Sequence, residues 1–388
     1  MKILHTSDWH LGHTLYNYDR SDEQSAMLEQ IRQIVEVERP DVFVLCGDIY
    51  HTSQPSAAVQ TLFTDAIAKI HDACREMVIV IIAGNHDSGS KHEIFRTPWR
   101  ALGVHVIGNI DKDAPDEHII EIPGKGFVVA IPYVHYRNMP QDFVQQALNN
   151  VDERNNAELP VVLTAHTTVS GCDFSGHDQA TEYIVGGIDA LDLEQIGEGY
   201  DYLALGHIHH EQWVRHSEHH ARYSGSPLAV GFDECYPHTV SIVEIARHGD
   251  SPTLRQVEIA NPHPLVTLPS DGFASWDEAK QLLTDFPTDI PAYIRLNVEV
   301  DDFLPPEASA EAIALTNNKL CRFCLINAKR KDITRSDIKA MTVQEFRAER
   351  PIDIARRYAK DTGFVFDDDT QALFSEAFDA VAAEQRNS

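Results

Sequence analysis

The chain has 388 residues, 60 acidic against 32 basic side chains, and a formal net charge of −28. That length allows more than one domain with a sizeable core, and the charge points to a soluble protein while arguing against a broad electropositive face for nucleic acid. Six cysteines do not make a disulfide framework and no apolar run approaches the roughly 20 residues of a membrane span, so a reducing cytoplasm is the expected location.

Met1-Lys2-Ile3-Leu4-His5 enters a strand directly, without the apolar core and cleavage site of a signal peptide. This strand, Lys2 to Ser7, ends in Asp8-Trp9-His10. Met27, Leu28, Ile31, Ile34 and Val35 at helical spacing predict a helix over Asp22 to Glu38, which Pro40 stops. Asp41 to Cys46 is a second strand, ending in Gly47-Asp48-Ile49-Tyr50-His51, and Ser56 to Ala73 is helical. Met77 to Ile82 is a continuous β-branched run of the kind buried in parallel sheets, and it ends in Ala83-Gly84-Asn85-His86-Asp87-Ser88. Strand, helix, strand, helix, strand is the pattern of a parallel sheet with helices on its faces.

Further strands are predicted over Phe127 to Tyr133, Pro160 to Ala165 and Tyr200 to Leu205, with a helix from Gln141 to Val151. The second of these strands ends in His166, the third in Gly206-His207-Ile208-His209. Strands then crowd together at Gln212 to His216, Ala221 to Ser224, Thr239 to Ala246 and Thr253 to Ile259. Such spacing suggests an antiparallel closing layer and hence a two-sheet sandwich.

Asn261-Pro262-His263-Pro264 reads as a linker. Beyond it lies a small α+β unit: strands at Leu265 to Leu268, Ala292 to Val300 and Leu320 to Ala328, helices at Trp276 to Leu283 and Ala308 to Thr316. Cys321 and Cys324 have zinc-like spacing without a second pair; on a strand they face opposite sides and read as small apolar residues. The tail from Thr342 is helical in places, with Phe374, Phe378 and Val381 along one stripe. The expected division is therefore 1–264, 265–340 and 341–388. A stripe of that kind either packs on its parent domain or docks another protein.

Asp8, His10, Asp48, Asn85, His166, His207 and His209 are seven donors to divalent metals at five strand ends. Any one of these histidines alone reads as an ordinary structural residue. Together they are what two metals bridged by one carboxylate would need. Open α/β sheets place ligands at this edge.

In order and spacing, Asp8-x-His10, Gly47-Asp48, Gly84-Asn85-His86-Asp87, His166 and Gly206-His207-x-His209 resemble the calcineurin-like metallophosphoesterase superfamily. Ile3 to Gly12, Ala204 to His209, Tyr223-Ser224-Gly225-Ser226-Pro227 and Phe232-Asp233-Glu234 resemble its branch of bacterial DNA-repair nuclease subunits. The resemblance implies a two-sheet α/β sandwich with a small capping domain and a helical tail. It implies one metal on Asp8, His10 and His209, another on Asn85, His166 and His207, and Asp48 bridging them, with manganese the usual ion. His86 would face the scissile phosphate as acid or charge stabiliser. Much of the superfamily supports that histidine with an aspartate where this chain has His51, so His51 joins the catalytic candidates. The branch further implies exonuclease action on duplex ends, endonuclease action on hairpins or single strands, an SMC/ABC-type ATPase partner, and a homodimer within a heterotetramer, with no membrane.

The acidic charge is the difficulty for a nuclease. The one clear basic cluster is Lys319, Arg322, Lys329, Arg330, Lys331, Arg335 and Lys339, with Asp332 and Asp337 among them. Lys329, Arg330 and Lys331 are the candidate DNA contacts; a solvated strand face and turn is the equal alternative. The chain has no Gly-x-x-x-x-Gly-Lys phosphate loop, so ATP-dependent work falls to a partner. A stand-alone metallophosphatase or small-nucleotide phosphodiesterase would share the metal site and suit the charge, but has less use for the second domain. A DNA-end tether without catalysis would not need a complete donor set.

Overall fold

The computed structural model describes residues 1–135, 138–174, 190–331, 351–362, 366–367, 370–374 and 378. Strand β1 (Lys2–Thr6) is followed by β2 (Val42–Cys46), β3 (Val78–Ile82), β4 (Val104–Ile107), β5 (Ile119–Ile122), β6 (Gly126–Ile131), β7 (Val161–His166) and β8 (Tyr202–Gly206). Then come β9 (Gln212–Trp213), β10 (Ala221–Tyr223), β11 (Thr239–Glu244), β12 (Thr253–Glu258), β13 (Leu265–Leu268), β14 (Tyr293–Val300) and β15 (Arg322–Arg330). One sheet runs β12-β11-β1-β2-β3-β4, a second β5-β6-β7-β8-β10-β9, and a third β13-β14-β15. The first two face each other as the expected α/β sandwich.

Alternation along each strand builds the layers. Val42, Val44 and Cys46 turn inward with Ile3, Val80 and Ile82 to meet Val128, Ala130, Val162 and Ala204 of the facing sheet. Phe43 and Leu45 turn outward, where Met27, Ile31, Phe63 and Ile67 cover them from helices Ser21–Glu38 and Ala57–Ala73. Ser56 caps the second of these helices by accepting from the Val59 amide at 3.3 Å. The helix Phe143–Asp152 does the same for the outer face of the second sheet through Phe143, Ala147 and Leu148. Because β1, β2, β3, β7 and β8 run in parallel within their sheets, their carboxyl ends lie at sheet edges together.

The expected closing layer is divided instead. β11 adds antiparallel to the free side of β1, with Leu4 opposite Ile242, and β12 pairs antiparallel with β11. β10 adds parallel to β8, and β9 pairs antiparallel with β10. The sequence pattern also does not show β4 and β5, each only four residues long and on an outer flank of its sheet.

In the third sheet β13, β14 and β15 are parallel, and helices Trp276–Asp285 and Ala308–Thr316 cover one face through Ala279, Leu283 and Ala312. Ser275 and Glu278 form a capping box at the first of these helices. The sheet is tied to the sandwich by Tyr293, whose hydroxyl donates to Glu23 at 2.7 Å, and by Tyr18, which donates to the Phe323 carbonyl at 2.9 Å. Cys321 joins one core and Cys324 another, on opposite faces as expected. By its internal contacts the chain divides into Met1–Arg330 and Lys331–Ser388. In the second unit Pro351–Thr362 is helical, and the rings of Phe366 and Phe374 lie 6.3 Å apart. Phe378 is exposed; Arg335, Lys339, Asp332, Asp337 and Val381 lie outside the described residues.

Candidate metal centre

The strand-end residues adopt backbone conformations that ordinary side chains avoid. Asp8, His10, Asp48 and His207 all have positive φ, at 54°, 44°, 48° and 100°. Strain of this kind costs of order 1–3 kcal/mol per residue and persists where the surroundings over-determine it. Two glycines make the convergence possible. A Cβ on Gly84 would strike the Asp48 amide and carboxylate, and one on Gly206 would strike the Cys46 carbonyl. Only bare backbone lets the ends of β2, β3 and β8 approach this closely.

The seven donors expected from the sequence gather at this edge in two groups. Ligand atoms of Asp8, His10 and His209 lie within 4.8 Å of one another, and so do those of Asp48, His166 and His207. The Nε2 atoms of His10 and His209 face each other at 3.1 Å. In the second group the Asn85 amide oxygen sits 2.9 Å from His166 Nε2 and 3.0 Å from His207 Nδ1. Asp48 lies between the groups, its Oδ2 3.8 Å from His10 Nε2 and 3.5 Å from His166 Nε2.

Proton placement fixes what these atoms offer. His166 Nδ1 donates to the Cys46 carbonyl at 2.7 Å, and His209 Nδ1 to the Glu234 carboxylate at 2.8 Å. Each ring therefore turns Nε2 toward other acceptors, and acceptors that converge in a buried place need a cation among them. The electrostatics agree. Burial opposes a charged His166, yet the Asp48 carboxylate pushes its pKa up to about 9. Burial opposes a charged His209 likewise, and Glu234 pushes it up to about 9. Burial raises the Asp8 carboxyl and drives His10 well below the usual imidazole range. At Asp48 burial works against the charge, but the neighbouring histidines, His166 foremost, outweigh it and hold the carboxylate ionised. Two carboxylates, an amide oxygen and imidazole nitrogens form a donor set that fits divalent transition metals.

His86 stands at the mouth. Its side chain is 29% exposed, against 4% for His10, 0% for His166 and 9% for His209. His86 Nδ1 donates to the His51 carbonyl at 2.9 Å, and Nε2 lies 4.0 Å from Asp48 Oδ2. The support of His86 thus comes from the backbone of His51. The His51 ring stacks 5.8 Å from His86 and stands edge-on to His13 at 4.6 Å. His10, His51 and His86 also bring nitrogens within 4.8 Å of one another, but that group has no carboxylate.

Other side chains hold this edge too; Asp87 and Glu234 lie within the strings that carry the family resemblance, and Gln24 lies outside them. Asp87 accepts from the amides of Ile49, Tyr50 and Gly84 at 3.1, 3.1 and 2.8 Å, stitching the ends of β2 and β3 together. Gln24 accepts from the Gly12 amide at 3.0 Å and donates to the carbonyls of His10 and His13. Glu234 orients His209.

The basic cluster is narrower than its sequence suggests. Lys319 Nζ donates to the carbonyls of Leu283, Thr284 and Phe286 at 2.7, 2.6 and 2.7 Å, which closes a helix C-terminus. Arg322 packs on Tyr18 and Tyr293 at 5.4 and 5.7 Å. Lys329 and Arg330 end β15, exposed beside the rings of Phe273 and Phe303, and Lys331 follows as the first residue of the second unit.

A model of the calcineurin-like phosphoesterase family matches residues 1–211. Three bacterial proteins similar to this chain are named as the SbcD component of the nuclease SbcCD. That of Bacillus subtilis (strain 168) is 28% identical over 410 residues, covering 99% of this chain and 99% of its own. That of Rhodobacter capsulatus is 29% identical, covering 72% of this chain and 74% of its own. That of Escherichia coli (strain K12) is 26% identical, covering 86% of this chain and 87% of its own. No described helix is long and apolar enough to cross a membrane.

Proposed function

Because the chain belongs to the calcineurin-like phosphoesterase family, we propose that it is the metal-dependent nuclease subunit of a two-component complex, acting on DNA ends and hairpins with an SbcC-like SMC/ABC ATPase in DNA repair and recombination. The observation that carries this reading is the end-to-end match with the Bacillus subtilis nuclease component, at 99% of both chains. The family match alone would support phosphoester hydrolysis of any kind.

In this reading Asp8, His10 and His209 hold one divalent ion, Asn85, His166 and His207 a second, and Asp48 serves both; manganese suits the mixed oxygen and nitrogen donors. Such ions supply Lewis-acid charge to a phosphodiester and acidify water for in-line attack. The residues of the chain do the rest. His86, more exposed than His10, His166 or His209, turns Nε2 to the substrate side and donates a proton to the leaving oxygen or steadies its charge. The His51 carbonyl fixes the His86 ring, and the His51 imidazole lines the entry beside it. Residues 265–340 form the capping domain, where Lys329, Arg330 and Lys331 contact the DNA backbone, and 341–388 form a tail that docks the partner. The assembly is a homodimer of this chain within a heterotetramer, in the cytoplasm.

The test is hydrolysis of a hairpin-ended linear duplex by the purified chain with manganese, with and without an SbcC-like ATPase. Cleavage is expected, strongest with the partner, and absent in Asp48→Ala, which should also lose its bound metal by elemental analysis. The net charge of −28 favours one other reading, a stand-alone phosphodiesterase for small nucleotides. Rapid turnover of a nitrophenyl phosphodiester beside untouched DNA, with or without the partner, would establish that reading instead.

A further inference from the structure

Glu234 is a buried carboxylate held by directional contacts on both oxygens. One oxygen accepts from His209 Nδ1 at 2.8 Å; the other accepts from the Val230 amide at 3.1 Å and from Ser226 Oγ at 3.4 Å, with His238 Nε2 at 3.7 Å. Acceptance from Nδ1 fixes the His209 tautomer and turns its Nε2 toward His10 and Asp8. A carboxylate behind a metal-binding imidazole does two things: it sets the ring's angle and makes the facing nitrogen more basic.

The two residues before Glu234 are held by another part of the fold. Phe232 packs in an apolar cluster with Leu15 and Tyr293, the latter on β14. Asp233 pairs with Arg295 of β14 at 2.8 Å, while the Arg295 guanidinium lies 5.3 Å over the Phe232 ring and donates from Nε to Thr267 of β13 at 3.1 Å. Three consecutive residues thus join the three-stranded sheet to a donor of the metal centre.

We propose that Glu234 is a positioning residue for His209, held in place by the three-stranded sheet through Phe232 and Asp233, and that it sets the affinity of the Asp8–His10–His209 site in particular. The proposal rests on the metal assignment above. It has a mechanical consequence: a shift of the three-stranded sheet against the sandwich is felt first at His209, and only afterwards at the site built by Asn85, His166 and His207.

The experiment uses the full chain stripped with chelator and titrated with manganese(II) alone, read by calorimetry and by electron paramagnetic resonance. Wild type is expected to take two ions and to give the signal of a coupled pair. Glu234→Ala should weaken one site by about 10–100-fold and leave the other, so that a single-ion signal appears at limiting metal. Glu234→Gln keeps the shape and an acceptor without the charge, and should fall between the two. Arg295→Met, remote from the centre, should weaken the same site by a smaller factor. Unchanged affinities in both Glu234 variants, or equal loss at both sites, would overturn the proposal, the second because it marks a structural role only. An Arg295→Met protein with wild-type affinities would overturn the link to the three-stranded sheet. Wild type that binds no manganese would instead overturn the metal reading itself.

Discussion

At the scale of single residues, the position of a few protons governs what this centre can bind. His166 and His209 commit their Nδ1 protons to Cys46 and Glu234 and turn Nε2 into a pocket of acceptors. Their carboxylate neighbours hold both pKa values up at about 9 against the effect of burial. At about pH 7 the metal-free rings are therefore charged, and an incoming ion must displace a proton from each. The sign follows: metal affinity rises with pH and levels off above about 9, with roughly one proton released per ring. The metal-free fold behaves in the opposite sense, since groups with raised folded pKa values stabilise below the ordinary histidine value and lose that contribution as pH rises through about 9. Calorimetry in buffers of different ionisation heat measures the release; none near pH 7 would contradict the assignment. His86 differs from both by its greater exposure. Replacing His86 with Gln should lower turnover on DNA by about 10²–10⁴-fold while metal content stays at the wild-type level. A nitrophenyl phosphodiester, whose leaving group needs little protonation, should lose less. Depleted metal in that variant would move His86 into the donor set with His10 and His51.

At the scale of elements, the site exists because three strand ends come closer than side chains permit. Gly84→Ala tests this, since its Cβ would overlap both the Asp48 backbone amide and the Asp48 carboxylate, which the His86 amide already holds. The turn must shift, so a destabilisation of about 1–3 kcal/mol is expected together with loss of bound metal. Thermal unfolding and elemental analysis check the two halves separately; full metal with an unchanged melting temperature would remove the steric argument. The same strand ends explain what was legible beforehand. Buried β-branched runs such as Val78–Ile82 announce themselves locally, and so do the donors placed directly after them. Which sheet a strand joins is not local: β11 lies beside β1 because Leu4 meets Ile242, a pairing that no pattern within either strand encodes. β4 and β5 are too short to show a period. The role of Glu234 is hidden for a related reason, since it reaches His209 from a loop 25 residues away. His51 supports its neighbour through a carbonyl, and backbone atoms carry no residue signature.

At the scale of the whole molecule, charge and fold pull in different directions, and that tension predicts how DNA is held. A net charge of −28 repels a polyanion, and affinity for duplex comes mainly from phosphates neutralised by basic side chains. Within the small sheet and its helices, Lys319 is spent on closing a helix and Arg322 on two tyrosines. Lys329 and Arg330 lie at the exposed end of β15, beside Phe273 and Phe303, whose rings can hold the cations in place, and Arg330 also donates from Nε to the Asp302 carbonyl at 3.0 Å. The chain alone should therefore bind duplex weakly, with a shallow salt dependence, and gain both affinity and slope when the ATPase partner is added. Lys329→Glu with Arg330→Glu should lower the affinity of the complex and reduce its salt slope by about 2, because each neutralised phosphate contributes a slope near 0.9. Neither residue lies at the metal centre, so metal content should not change. Fluorescence anisotropy across a salt series reads both quantities. Binding by the isolated chain as tight as that of the complex would end the argument for a partner, and an unchanged slope in the double variant would place the DNA elsewhere on the molecule.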